Sequence, residues 1–202
     1  MGKRILLAGL LGGIAMFIWA FLAHMVLPLG STGIREIPNE TAVLGAMQAS
    51  LGQTAGLYFF PGLGVGPNPT AAQRNAAMKE YDPKLAANPS GLLLYHPPGA
   101  KGMTGGKLGL EFLTEVVETL LAVFLLAQTR LTRYASRVGF VFLVGVVAAI
   151  TTNIPYWNWY RFPGNYTAAY MTTQIVAYLV AGLVGAAVLR AREPLGFAAN
   201  AK

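Results

Sequence analysis

The chain has no cysteine among its 202 residues, and it has only two histidines and eight acidic residues. The missing cysteine excludes disulfides, thiolate nucleophiles, iron–sulfur clusters and cysteine-ligated zinc. It leaves the compartment open, because a cysteine-free chain is stable at any redox poise. Charge is scarce too: 11% of residues are charged and 54% are hydrophobic, where an average soluble domain has roughly 25% charged residues. Together with a mean hydropathy of +0.50, this excludes an ordinary water-soluble domain and reads as an integral membrane protein. The formal charge of +7 does not point to nucleic acid, since the basic residues are scattered and many flank apolar runs.

Four apolar runs have the length of about 20 helical residues needed to cross ~30 Å of hydrocarbon. They extend from Ile5 to Leu27, Leu108 to Gln128, Val138 to Tyr156 and Ala168 to Leu189. The first is longer than a signal-peptide core and has no small-x-small cleavage site, so it reads as an uncleaved anchor. Lys3 and Arg4, then Arg130, Arg133 and Arg137, then Arg190 and Arg192 flank these runs on one common side. That side is predicted to be cytoplasmic, with both termini on it, in the plasma (inner) membrane. The predicted fold is an all-α integral membrane protein: a four-transmembrane-helix bundle with a small α+β extracytoplasmic lid between helices 1 and 2. Residues 1–27 make the first span, 28–107 the lid and 108–202 the three-helix part, within one domain overall.

Eighty residues are too many for a simple connection, so the lid should carry structure of its own. Asn39 followed by ETAVLGAMQASL predicts an N-capped helix with Glu40 in its first turn. GLYFF (56–60) and GLLLYH (91–96) read as strands that pair with each other, bounded by Gly and Pro breakers. A further helix is expected over about 70–87, weakened by Pro83, and a glycine-rich tether over 99–107. The tether does not match a phosphate-binding loop, which needs GxxxxGK[ST] between a strand and a helix.

The second run carries Glu111, Glu115 and Glu118. Only nine or ten residues follow Glu118 before Gln128, about 15 Å of helix, so the span must reach back past Glu115. This puts Glu118 near mid-membrane, Glu115 a turn further out and Glu111 close to the interface. Positions i, i+4 and i+7 share one stripe. An ionised carboxylate facing lipid costs at least ~2.5–3.5 kcal/mol, so the stripe should face the protein. Other spans offer His24, Asn153, Tyr170 and Gln174 in their outer halves, and Gly9 and Gly13 mark a close-packing face. A polar pocket in the outer half of the bundle is therefore expected, lined by His24, Glu111, Glu115, Glu118, Asn153, Tyr170 and Gln174. The aromatic hairpin at 157–166, with Trp157, Trp159 and Arg161, is its expected outer gate or an interfacial belt.

Three functional readings follow from these residues. In the first, the glutamates join helices, pair with Arg161 or Lys107, or meet another membrane subunit or a second copy. The protein is then a small accessory or structural subunit of a membrane complex, with the lipid bilayer as its other partner and no nucleic acid. In the second they form a cation or proton site, with Glu115, Glu118 and His24 as candidate ligands of a divalent metal. In the third a glutamate is the general base of a membrane-surface enzyme acting on a lipid or quinone-like molecule. No GxSxG or other nucleophile motif accompanies it.

Overall fold

The structure, a computed structural model, describes residues 2–189, so Arg190 and Arg192 lie outside the described residues. In chain order its main elements are α1 (Gly2–Phe21), α2 (Glu40–Leu51), β1 (Gly56–Phe60), α3 (Ala71–Lys79), α4 (Tyr81–Ala87), β2 (Gly91–Tyr95), α5 (Gly105–Gln128), α6 (Tyr134–Tyr160) and α7 (Gly164–Leu189). They fall into two compact units. One joins the chain up to Ile34 to the chain from Met103 onward, and the other is the insert Arg35–Gly102.

The first unit is helical. Three of its helices are long and apolar enough to cross a membrane: Gly2–Val26, which adds a widened turn to α1, together with α6 and α7. Helix α5 is nearly as long, at 24 residues, but Lys107 and the three glutamates set it apart from those three. Each helix begins before its apolar run. The Thr104 hydroxyl accepts from the Lys107 N–H (3.3 Å) and starts α5 at Gly105, and α6 runs through Pro155 to Tyr160.

Glycines set the distances between these helices. A methyl group on Gly9 would fall on Leu120, and one on Gly13 would lie 2.6 Å from Val116 Cα, so α1 and α5 are in near-backbone contact. Gly12 sits against Thr119 and Ala181, Gly185 against Val123, and Gly145 against the Tyr178 side chain. Close approach of small residues is the principal way apolar helices gain contact where water does not drive them together. α1 packs along α5 and α7, and α7 along α6, whereas α5 and α6 touch only lightly. The buried core includes Ala8, Val123, Leu126, Val141, Ala181 and Ala186. Leu113, Val117, Leu121 and Phe124 form an exposed apolar stripe on α5, and Leu143, Val147 and Ile150 do so on α6.

In the insert, β1 and β2 pair antiparallel with Gly56 opposite Tyr95 and Phe60 opposite Gly91, the expected pairing. The Tyr95 hydroxyl donates to Gly52 O (2.8 Å) and that of Tyr81 to Pro61 O (2.9 Å). Two expectations are corrected. Asn39 is left-handed (φ 54°) and its side chain caps nothing, so α2 begins without the predicted N-cap bond. The helix expected over 70–87 breaks at Glu80 into α3 and α4. The break precedes Pro83, which occupies the first turn of α4, where its missing N–H costs no hydrogen bond. Thr70 and Gln73 close a reciprocal capping box at the start of α3.

Candidate functional site

Three contacts set the register of α5 against α1: Leu120 at Gly9, Val116 at Gly13, and Phe112 edge-on to Phe17 at 5.5 Å. Residue numbers in the two helices run in opposite directions, so each level of the bundle can be read from this pairing. The midpoint of α5 falls between Val116 and Val117. Glu115 is just on the insert side of that midpoint, Glu118 just beyond it, and Glu111 more than a turn nearer the insert end. Glu115 and Glu118 thus straddle the middle of the helix, and Glu111 lies nearer its insert end.

Their surroundings differ. Glu111 is exposed, Glu118 half-buried and Glu115 only 7% exposed. The Tyr178 hydroxyl donates to Glu118 Oε2 at 3.2 Å, joining α7 to α5. Among the described residues, Glu115 Oε2 is buried without a hydrogen-bond partner. One turn along the same stripe, the fully buried Thr119 hydroxyl donates to the Met16 sulfur at 3.5 Å. Thioether sulfur is a weak acceptor.

The other expected pocket residues lie at separate levels. Asn153 Nδ2 donates to Gln174 Oε1 (3.1 Å) and to Ala149 O (3.0 Å), tying α6 to α7. With Gly12 against Ala181 as the reference for α7, this pair sits about 7 Å from Glu115 toward the insert end, at 1.5 Å per residue. Tyr170 is one turn further along. His24 stands edge-on to Tyr170 at 6.1 Å, level with the first residues of α5, about 9 Å beyond Glu111. His24 therefore does not share a level with Glu111–Glu115, with which it was expected to line one pocket. The cause is the register itself, since Val116 at Gly13 and Phe112 against Phe17 bring residue 24 opposite the start of α5; His24 is also exposed, in a widened π turn over Leu22–Val26 that the Leu27 N–H closes on Leu22 O (2.8 Å). Its Nδ1 lies 2.9 Å from Ala20 O. A carbonyl can only accept, so Nδ1 carries the proton.

Among the described residues, no three His, Asp or Glu side chains come together as a group able to hold a metal, so His24, Glu115 and Glu118 do not converge. Trp157 and Trp159 are exposed, Trp159 by 77%. The rings that do touch are Tyr156, Tyr160, Phe162, Tyr166 and Tyr170, with Tyr166 stacked on Tyr170 at 4.4 Å. Arg161 ends α6 in a left-handed conformation (φ 57°) and is exposed.

One residue of the interior was read from the sequence only as a topological charge. Arg137 is buried on α6 at 4% exposure. The signal was there: Arg137, Val141, Gly145 and Ala149 recur every four residues on one stripe. Comparison with protein-family models, curated proteins and solved structures finds no match to this chain.

Proposed function

We propose that the protein is a small accessory or structural subunit of a membrane complex, built as a four-helix transmembrane bundle with α5 as its fourth span. The exposed apolar stripe on α5 supports a lipid-facing side, and its glutamates turn away from that stripe. Crossing with the basic 129–133 link, Arg130 and Arg133, in the cytoplasm follows the positive-inside rule. The insert then lies on the extracytoplasmic face.

The observation that carries the reading is how the polar side chains are used. Trp19 Nε1 donates to Thr173 O (2.9 Å), Tyr178 to Glu118, Asn153 to Gln174 and Thr119 to Met16. These bonds join α1 to α7, α5 to α7, α6 to α7 and α5 to α1. Polar groups inside a bilayer serve in this way as fasteners between helices. Such a set rigidifies a scaffold and leaves few groups free to handle a substrate. The insert adds a surface that suits assembly: Ile37, Leu44, Met47 and Leu94 line an open groove of about 460 Å³, and Leu57 and Leu94 are each 67% exposed. Large exposed apolar patches mark interaction sites.

The test is native mass spectrometry of the protein extracted in mild detergent from its own membrane. A second chain at fixed stoichiometry is expected, and it should be lost when Leu57 and Leu94 are both changed to Ser. Recovery of the bare monomer under every mild condition would overturn the proposal.

A further inference from the structure

The end of the helical unit at the 129–133 link is positively charged. Arg130 and Arg133 are exposed, and Arg137, one turn into α6, is buried at 4% exposure. From beyond Glu118 to the end of α7 the chain has no acidic residue to balance them. Glu118 itself is about 15 Å of helix away from Gln128, the last residue of α5. Burying a guanidinium without an opposite charge is costly. An anion placed at this end offsets part of that cost, because the attraction is strong in a low-dielectric surrounding.

An apolar groove opens beside this charge. Tyr134, Val138, Gly139 and Phe142 of α6 and Leu179 and Leu183 of α7 line a volume of about 410 Å³. One end of the groove is at Tyr134, the residue after Arg133. The Tyr134 hydroxyl donates to Leu183 O (2.8 Å), which holds its ring across the two helices. At Gly139 a methyl group would meet nothing within 4 Å, so the space over α6 is open there. From Tyr134 to Phe142 the groove follows α6 for about 12 Å, most of the ~15 Å depth of one hydrocarbon leaflet. Both helices are long and apolar enough to cross a membrane, so an open groove between them faces hydrocarbon.

The dimensions separate two kinds of occupant. A helix is ~10 Å across, and 12 Å of its length fills roughly 900 Å³, more than twice the groove. A single acyl chain is slender enough to lie along it. A chain lying there brings its head group to the end where Arg130 and Arg133 stand, and arginine pairs well with phosphate. Basic pockets between helices at a membrane surface hold anionic head groups in this way.

We propose that the α6–α7 groove holds one anionic phospholipid of the leaflet that meets the 129–133 link. Its acyl chain lies along Val138, Gly139 and Leu183, and its phosphate is held by Arg130 and Arg133. The site belongs to the helical unit alone and does not depend on a partner subunit at the insert.

The test is native mass spectrometry of delipidated protein titrated with dioleoylphosphatidylglycerol or dioleoylphosphatidylcholine. One phosphatidylglycerol should bind the wild type more tightly than phosphatidylcholine by roughly 30-fold, the effect of two arginines near a membrane surface. Equal binding would overturn the proposal, and this arm depends on no variant folding. Gly139→Leu puts a side chain into the open groove and should abolish the adduct, whereas Gly139→Ala, too short to fill it, should keep it. An undiminished adduct in Gly139→Leu would mean that the lipid gathers at the arginines without the groove, which overturns the acyl-chain site. Arg130→Gln combined with Arg133→Gln should make the two lipids bind equally. A preference that survived this change would overturn the position of the phosphate. A protein chain carried by the wild type from its own membrane, and released by Gly139→Leu, would assign the groove to a partner and overturn the lipid.

Discussion

Changing Gly13 to Ala adds one methyl group at the contact that fixes α1 against α5. That carbon would lie 2.6 Å from Val116 Cα, 2.8 Å from its Cγ2 and 3.0 Å from its N. Two of the three atoms are backbone, which no rotamer change can move aside. Ordinary carbon contacts are ~3.5–4.0 Å, so the helices must separate by about 1 Å. Overpacking of this kind costs about 1–3 kcal/mol. The substitution also gains about 0.8–1 kcal/mol of helix propensity, which must be subtracted before the contact is read. Gly109→Ala provides the subtraction. Gly109 lies within α5, and a methyl group there would meet nothing within 4 Å. The stability difference between the two variants therefore isolates the α1–α5 contact, expected at the upper end of ~1–3 kcal/mol because backbone cannot yield. Steric-trapping or SDS-titration unfolding in bicelles measures it. Equal shifts in the two variants would refute the near-backbone contact and the level assignments that depend on it.

Two further predictions concern the carboxylates. The Tyr178–Glu118 bond, at 3.2 Å, is longer than the ~2.5–2.7 Å of a charge-assisted O–H···O bond. A double-mutant cycle of Tyr178→Phe with Glu118→Gln should therefore give a coupling near the ~0.6 kcal/mol typical of membrane helices, and a coupling above ~2 kcal/mol would be inconsistent with this geometry. Glu115→Leu removes a buried group that has an unpaired oxygen and is expected to raise stability by about 1 kcal/mol or more. A loss of ~3–5 kcal/mol in the same unfolding assay, the penalty for breaking a buried pair, would show that Glu115 is bonded after all.

The period of the apolar residues made the long helices legible, and their Gly and Pro boundaries marked β1 and β2. The stripe of Glu111, Glu115 and Glu118 was legible for the same reason, since positions i, i+4 and i+7 coincide in any regular helix. What the period could not give was level. The level of His24 depended on the register that Gly9 and Gly13 set between α1 and α5, which no hydrophobic pattern announces. The levels of Asn153, Gln174 and Tyr178 depended on where Gly12 and Gly145 let α7 settle, a matter of tertiary contact. Asn39 had a strong capping identity but took a left-handed conformation. Arg137 looked like a flanking charge because charge alone suggested the boundary, whereas its four-residue spacing from Val141 and Gly145 pointed inward.

The Tyr178–Glu118 bond also has a consequence for biosynthesis. Its partners are 60 residues apart in the chain, so α5 leaves the ribosome well before its bonding partner on α7 exists. At about 5–20 residues per second, that interval lasts roughly 3–12 s. During it, the proposed fourth span must hold three glutamates without Tyr178, and each costs ~2.5–3.5 kcal/mol if left facing lipid. The glycine seam at Gly9 and Gly13 belongs to a helix made earlier, so α1 can shelter one side of α5 from the start. Insertion of α5 should therefore depend on α1 being present first, with commitment to the bilayer completed only when α7 arrives.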